Sequence, residues 1–285
     1  MSKLSILFLI FSSPLLARVT NFETARLSST AGAGVGSILM DEATILNPAP
    51  LAFFNLTSVL VQKSFGNYNS EVDNSPLGGK EAKNIAVIVS DAKGPFKGSI
   101  SYFKQTDGNM VRKRISLATA FPFGKKSAVG LTARRTQDQF VFGDETYYQI
   151  VIGAFHALNQ YFSAGLVIVD PLQKRPEDVK AVLGLQLVYG EFISAMIDFG
   201  GNWMRPLDET FLYRGAVQFM VFKDLFIRGG LYKDKGQNEK GNGVGIGWTS
   251  PKLSLEIGMK NSEFTYGEDK VDKRKETSFS VSYRF

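Results

Sequence analysis

Residues able to do chemistry are few and far apart in this chain of 285 residues. His156 is the single histidine; with a nucleophile and an orienting residue it could serve ester hydrolysis, but the sequence offers no Ser/Asp set on neighbouring strand ends to complete it. Gly32-Ala33-Gly34-Val35-Gly36-Ser37 has the small residues of a phosphate-cradling loop. Its spacing fits no nucleotide fingerprint and no strand-loop-helix unit surrounds it, so a close-packed turn is the reading. Glu71/Asp73 and Glu268/Asp269/Asp272 lack the regular spacing of a calcium loop and read as solvated charge. Asn55-Leu56-Thr57 matches a glycosylation triplet but opens a strand. The sequence therefore reads as a non-enzyme with no cofactor and no metal. What remains is a scatter of ionisable residues within strand-like runs: Arg114, Arg134, Asp198, Arg214, Arg228, Glu256, Lys260 and Arg284. Facing a common interior, their cations could take a carboxylate headgroup or pair with Asp198 and Glu256, and pairing is favoured.

The elements that would position them alternate. The last segment, Thr277 to Phe285, places Phe279, Val281, Tyr283 and Phe285 at odd positions and Ser278, Ser280, Ser282 and Arg284 at even ones. Successive side chains of a strand point to opposite faces, so one face is apolar and the other polar. A terminal strand closing on an aromatic residue resembles the assembly signal of bacterial outer-membrane β-barrels. From Leu56 onward, runs rich in Val, Ile, Phe and Tyr recur between Gly, Pro, Asn and Asp, approximately at 56–65, 82–91, 96–106, 110–121, 127–137, 145–156, 160–170, 180–189, 192–200, 209–222, 225–233, 242–249, 253–263 and 275–285. These are about fourteen, an even number as in such barrels. Short junctions at 91–95, 122–126, 157–159, 190–191, 223–224 and 250–252 alternate with longer polar ones at 66–81, 138–144, 171–179, 201–208, 235–241 and 264–274. Asp107-Gly108 alone breaks the rule, as a tight-hairpin signal. Short turns at one end and long loops at the other are the layout of an up-and-down antiparallel transmembrane barrel.

Parity assigns the faces. Leu253/Leu255/Ile257/Met259 oppose Ser254/Glu256/Gly258/Lys260, and Ile193/Ala195/Ile197/Phe199 oppose Ser194/Met196/Asp198/Gly200. The apolar sets face lipid, because a cation there costs about 2–4 kcal/mol at mid-bilayer and little near the interface. Lys63 and Arg135 fall outward, late in their strands, where that cost is small. Phe96, Phe121, Phe123, Tyr161, Phe162, Phe192, Phe222 and Phe226 gather at the short-turn end like an interfacial girdle. The inward face is otherwise small, with Gly243, Gly245, Gly247, Gly130, Gly153, Gly165, Gly184 and Gly258, leaving a wide interior to be filled by water, a ligand or a plug.

Residues 1–17 read as a secretory signal peptide: Lys3, the apolar run Leu4 to Phe11, and a small residue at Ala17. Residues 18–54 lack a period-2 pattern and are the plug expected inside a barrel of residues 55–285. There is no cysteine for disulfides or thiolate metal sites. The net charge of +6 is spread along the chain without the stripe of a nucleic-acid binder. A basic surface beside anionic lipid is the simpler account, so the expected surroundings are outer-membrane lipid, lipopolysaccharide and the barrel-assembly machinery.

Ala31-Gly32-Ala33-Gly34-Val35-Gly36, Asp41-Glu42-Ala43-Thr44 and Asn47-Pro48-Ala49, followed directly by the first strand, resemble the N-terminal hatch of the FadL-type transporters of long-chain fatty acids and their relatives, including the PorV-type proteins of a bacterial secretion system. That resemblance implies a fourteen-stranded barrel with a small helical or irregular hatch in its lumen, positioned by Asn47, Pro48 and Ala49 with the turn glycines Gly32 and Gly34. It implies uptake of a hydrophobic or amphiphilic small molecule. PorV-like relatives imply the alternative, a non-transporting barrel that anchors or adapts another protein. The chain is shorter than the transporters and its loops are compact.

Overall fold

The computed structural model describes residues 21–70, 81–108, 110–140, 143–190, 192–266 and 270–285. The expected signal peptide, residues 1–17, and the Glu71/Asp73 and Glu268/Asp269 clusters lie outside the described residues. Fourteen antiparallel strands close into one barrel in which every strand pairs with its sequence neighbours and β1 pairs with β14. They are β1 (Thr57–Ser70), β2 (Glu81–Asp91), β3 (Lys97–Asp107), β4 (Met110–Phe123), β5 (Ser127–Phe140), β6 (Gly143–Ala157), β7 (Phe162–Val169), β8 (Lys180–Tyr189), β9 (Ile193–Gly201), β10 (Leu212–Phe222), β11 (Leu225–Asp234), β12 (Glu239–Thr249), β13 (Leu253–Tyr266) and β14 (Lys270–Arg284).

Burial alternates residue by residue, as on β2, whose odd positions are exposed and even positions buried. The exposed odd side chains there include Ile85, Val87 and Val89. Comparable apolar side chains point outward all round the barrel, among them Leu117, Leu183, Ile197, Ile246 and Phe279. An apolar surface of this extent is untenable in water and is the lipid-facing band of a membrane barrel. No helix among the described residues is long and apolar enough to cross a membrane, so the crossing elements are strands. Lys63 and Arg135 are outward and exposed. Seven of the eight girdle aromatics point outward, whereas Phe226 turns inward under the Arg228 guanidinium, 5.6 Å from its ring. Register explains the exception: Phe226 shares the parity of Arg228, and a shift between Met220 and Phe222 offsets this end of the β10–β11 pair.

The loops are a second correction. Junctions expected to be long at 138–144, 235–241 and 264–274 are shortened by strand, since β5 runs to Phe140 and β6 starts at Gly143, β12 starts at Glu239, and β13 runs to Tyr266 with β14 starting at Lys270. Beyond the apolar band the backbone continues its hydrogen-bond ladder with polar side chains, so periodicity in hydrophobicity ends before the strand does. The β3–β4 junction is as tight as expected, with Gly108 at φ 54°. Long connections remain at 170–179 and 202–211, the latter carrying a single helical turn, α2 (Leu207–Thr210), and residues 71–80 of the expected 66–81 junction lie outside the described residues.

Residues 21–54 lie inside the barrel. Their α1 (Ala25–Ser29) starts at Thr24, whose hydroxyl accepts from the Leu27 N–H at 3.2 Å. It stops where Ala31 and Gly32 take positive φ and the Gly32 N–H returns to the Leu27 carbonyl at 2.7 Å. A short 3-10 turn (Ala49–Phe53) then leads into β1. The small inward residues leave room, but that room is filled. At Gly153 a side chain would run into Asn47 and Pro48, and at Gly243 into the Ser28 carbonyl of α1. Plug backbone therefore packs against strand backbone, and the interior is not the roomy lumen that a glycine count suggests.

Candidate functional site

The plug is held at both faces of its glycine turn. Asp198 on β9 is fully buried and accepts from the N–H of Gly34 at 3.0 Å and of Val35 at 3.2 Å. Arg214, directly opposite on β10, donates to the Gly32 carbonyl at 2.9 Å. An acid thus holds the donors of this turn while a base holds its acceptor. The left-handed Gly32 (φ 79°) and the positive φ of Gly34 (141°) aim those groups outward to the wall. Asn47 does similar work at the second turn: its amide donates to the Val35 carbonyl at 2.9 Å and to the Ala154 carbonyl of β6 at 3.1 Å, and its oxygen accepts from the Ala49 N–H at 3.1 Å. Pro48 packs against the backbone at Gly130 and Gly153.

Sequence reasoning favoured wall ion pairs with both Asp198 and Glu256, and the two acids differ. Glu256 does pair with wall Arg228 at 3.4 Å, but its nearer partner is Arg26 of the plug at 2.6 Å. Asp198 takes backbone N–H groups instead, which a parity argument cannot foresee because the donors belong to the plug. Lys260 pairs with Glu23 of the plug at 2.7 Å. Arg134 donates to the carbonyls of Thr44 and Ile45 at 3.1 and 2.8 Å. Arg114 bonds Thr136 at 2.7 Å. Arg284 is half-buried and faces the lumen at the short-turn end, and Phe279, Val281, Tyr283 and Phe285 all point outward.

Other anchors escaped sequence reading. Gln62 of β1 accepts from the Ala25 N–H at 2.8 Å and donates to the Glu23 carbonyl at 2.9 Å. Asp41 accepts from Ser58 on β1 at 2.7 Å and from Ser282 on β14 at 3.1 Å, so it bridges the two strands that close the barrel. Ser163 donates to the Gly36 carbonyl at 2.7 Å. Inward parity marked these wall residues as available; only the path of the plug shows which are used.

The plug divides the interior. On the long-loop side lies a chamber of about 80 Å³ lined by Arg114, Arg134, Lys180 and Arg214, by the carboxylates Glu23 and Asp178, and by apolar side chains including Phe22, Ile45, Phe103 and Val167. Phe22 and Phe103 stack with centroids 4.6 Å apart. Glu23 is already committed to Lys260. Burial alone would raise the Asp178 carboxyl, but Arg114, the Gln149 amide, Lys180 and Arg112 outweigh it and hold the group below the usual carboxylate range. Cations are in excess, and the buried Nε atoms of Arg134 and Arg214 have no hydrogen-bond partner among the described residues. On the short-turn side a chamber of about 240 Å³ is lined by Arg26, Gln186, Gln218, Arg228 and Arg284 with Met196 and Phe226.

His156 does have a hydroxyl neighbour after all. Ser127 lies directly opposite it across β5 and β6, with Oγ 2.8 Å from Nδ1, on the outer rim of the short-turn end. Among the described residues no carboxylate orients the ring, and no cluster of metal-ligating side chains occurs. The pair is a rim hydrogen bond that lacks the orienting residue of a hydrolytic set among the described residues.

No known protein family's sequence pattern matches the chain, and no curated protein does. Solved structures do match. The monoaromatic hydrocarbon channel CymD superposes with a TM-score of 0.76 at 11% identity, over 91% of this chain and 96% of that one. The Ralstonia pickettii toluene transporter TbuX gives 0.73 at 8% identity, over 93% and 99%, and the Pseudomonas putida toluene transporter TodX gives 0.73 at 10%, over 94% and 99%. At such identities the likeness is one of backbone. A Pseudomonas aeruginosa FadL homologue also superposes, at 0.63 and 11% identity. The fourteen-stranded barrel around an N-terminal plug is therefore the fold of the FadL-type channels.

Proposed function

We propose that this protein is a channel of the bacterial outer membrane that takes up a hydrophobic or amphiphilic small molecule, with no catalytic step. The observation that carries the reading is the chamber on the long-loop side, the upper chamber, where four cations, two of them with unmet donors, sit over stacked aromatics and aliphatic side chains. That combination suits a molecule with an anionic head and an apolar body. Charged groups fix its orientation and apolar lining supplies the affinity. The substrates named for the structural neighbours, monoaromatic hydrocarbons and toluene, favour the apolar part of this description. At about 80 Å³ the chamber is smaller than the roughly 300 Å³ at which ligand sites begin. Full occupancy therefore requires the plug to shift, and the two chambers connect by that same movement. A plug route is favoured over a gap in the wall because the described ladders pair every strand, with one register shift near the short-turn end of β10.

The test is binding and uptake of two probes, a medium-chain fatty acid and toluene, by purified protein and by cells with and without the gene. Saturable binding of the fatty acid, weakened by Arg134→Gln, supports the reading. Absence of binding and of any uptake difference for both probes refutes it. The compact external junctions and the many bonds pinning the plug favour a second reading, an adaptor barrel for a protein partner. A stoichiometric protein co-purifying from outer membranes, with no hydrophobic ligand bound, would select it.

A further inference from the structure

The outward face carries cations in an arrangement that barrel stability does not explain. Lys104 on β3 and Lys113 on β4 are direct cross-strand partners on the same face. Like charges directly opposite one another destabilise a sheet. Lys83 on β2, opposite Thr106 and Phe65, is the diagonal neighbour of both Lys104 and Lys63. Arg135 on β5, opposite Ile115, is the diagonal neighbour of Lys113. Five successive strands, β1 to β5, thus contribute one outward cation each to a single connected patch. All are exposed except Lys113, which is half-buried. Lys83 contacts Glu81 at 3.1 Å. Among the described residues, no carboxylate lies within ion-pair distance of Lys63, Lys104, Lys113 or Arg135.

Position narrows the partner. On the short-turn side each cation is followed by outward apolar residues: Val61 and Val59 after Lys63, Ile85 and Val87 after Lys83, Tyr102 and Ile100 after Lys104, Ile115 and Leu117 after Lys113, Leu131 and Val129 beyond Arg135. The patch therefore stands at the long-loop edge of the lipid-facing band, the depth at which lipid headgroups meet the wall. Outward cations occur on β11, β12 and β14 as well, at Lys233, Lys240, Lys273 and Lys275, but not on the opposite stretch of wall. The strand positions facing outward on β6 to β10 include no Lys or Arg and present Tyr148, Ile168, Leu183, Phe199 and Tyr213 instead. Two outward lysine pairs stand face to face, Lys233–Lys240 and Lys104–Lys113, and only the second lacks a carboxylate among the described residues, since Lys240 pairs with Glu263 at 3.2 Å.

We propose that this arc of β1–β5 is a binding site for a phosphorylated anionic lipid of the external leaflet, its phosphates lying between Lys104, Lys113 and Arg135 with Lys63 and Lys83 as flanking charges. Charge complementarity at headgroup depth is the argument. The inference rests on the membrane reading of the barrel but not on the transported molecule.

The experiment uses the full chain in nonionic detergent. Binding is measured by native mass spectrometry and by titration with bisphosphorylated lipid A, with lipid A stripped of both phosphates, and with inorganic phosphate. The wild-type chain binds the bisphosphorylated lipid at least tenfold more tightly than the stripped one, and inorganic phosphate competes weakly. The variant K104Q/K113Q/R135Q loses at least tenfold of that affinity and keeps its affinity for the stripped lipid. K233Q, on β11, changes neither. Heat-dependent gel mobility checks that each variant is a closed barrel, and single substitutions K104Q and K113Q replace the triple variant if it does not close. Equal affinity for the two lipids, inorganic phosphate binding as tightly as lipid, or an unchanged preference in the charge variants overturns the proposal. A chain that does not insert into bilayers at all overturns the membrane reading and this site with it, so the two failures are distinguishable.

Discussion

Asp198→Ala should release the glycine turn of the plug without opening the wall. The carboxylate is fully buried and serves two plug N–H groups, those of Gly34 and Val35, at 3.0 and 3.2 Å. A hydrogen bond to a charged group is worth about 1.5–3 kcal/mol, so two amount to about 3–6 kcal/mol. The β9–β10 ladder is made by backbone and is untouched, and water entering the vacated space recovers part of the loss. A local opening cheaper by about 3 kcal/mol is the working figure, which corresponds to roughly 150-fold in an opening equilibrium. The absence of cysteine from the chain makes the assay clean. Ser37→Cys is nearly isosteric at a buried site whose hydroxyl has no partner among the described residues. In that background, Asp198→Ala should raise the rate of thiol labelling by about a hundredfold under conditions where opening is fast relative to reaction. Asp198→Asn retains one acceptor oxygen and should give about tenfold. Equal labelling in all three chains, with closed barrels confirmed by gel mobility, would show that the acid does not hold the plug.

Arg134→Gln should weaken a fatty acid by about tenfold and leave toluene unchanged, because one buried charge-assisted contact is lost; calorimetry on both ligands separates the two. Asp178→Asn removes a carboxylate that offsets the cations of that chamber and should tighten the same acid by several-fold, with the effect weaker at high salt. Gly153→Val forces side-chain atoms into Asn47 and Pro48, and overpacking of this kind costs about 1–3 kcal/mol. It should lower the temperature of the gel-mobility transition or increase plug labelling, and an unchanged value for both would mean that the plug is not in contact there. Asp41→Ala leaves Ser58 and Ser282 bonded to each other at 2.9 Å, so the barrel should stay closed while labelling near Asp41 rises.

The wall was legible because its physics is local. Period-2 alternation, turn residues and the cost of a cation in lipid are each readable in a window of ten residues or so, and they located all fourteen strands and, on those where parity was assigned, such as β9 and β13, the face turned outward. Strand ends were less legible, since β13 and β14 run on as a polar hairpin past Glu263 and before Lys275, where hydrophobicity no longer alternates. Phe226 shows the same limit at the other end: residue type suggested lipid, and register sent it inward. Of the partners within the lumen, the pairing of Glu256 with an inward arginine was legible and the bonds to the plug backbone were not. Asp198, Gln62 and Ser163 look alike as inward polar residues, and each meets the plug through a backbone group whose position depends on how 21–54 folds against the closed wall.

That dependence bears on mechanism. The plug is fastened chiefly through its backbone: Arg214 to Gly32, Asp198 to Gly34 and Val35, Ser163 to Gly36, Arg134 to Thr44 and Ile45. Two of those fasteners, Arg134 and Arg214, are also cations of the upper chamber, and each keeps one unmet donor. An anionic head entering the chamber would compete with the plug carbonyls for the same guanidinium groups, at the two turns that seal one chamber from the other. Binding free energy can shift the plug only by the difference between its affinities for the seated and displaced arrangements. A carboxylate makes stronger hydrogen bonds to guanidinium than a peptide carbonyl does, which gives that difference its sign. Toluene has no such competitor and should bind without increasing plug labelling. A fatty acid should increase labelling at Ser37→Cys, and Arg214→Gln should both raise the basal rate and abolish the response. If toluene and fatty acid act alike, the head group is not the trigger, and the shared arginines serve the plug alone.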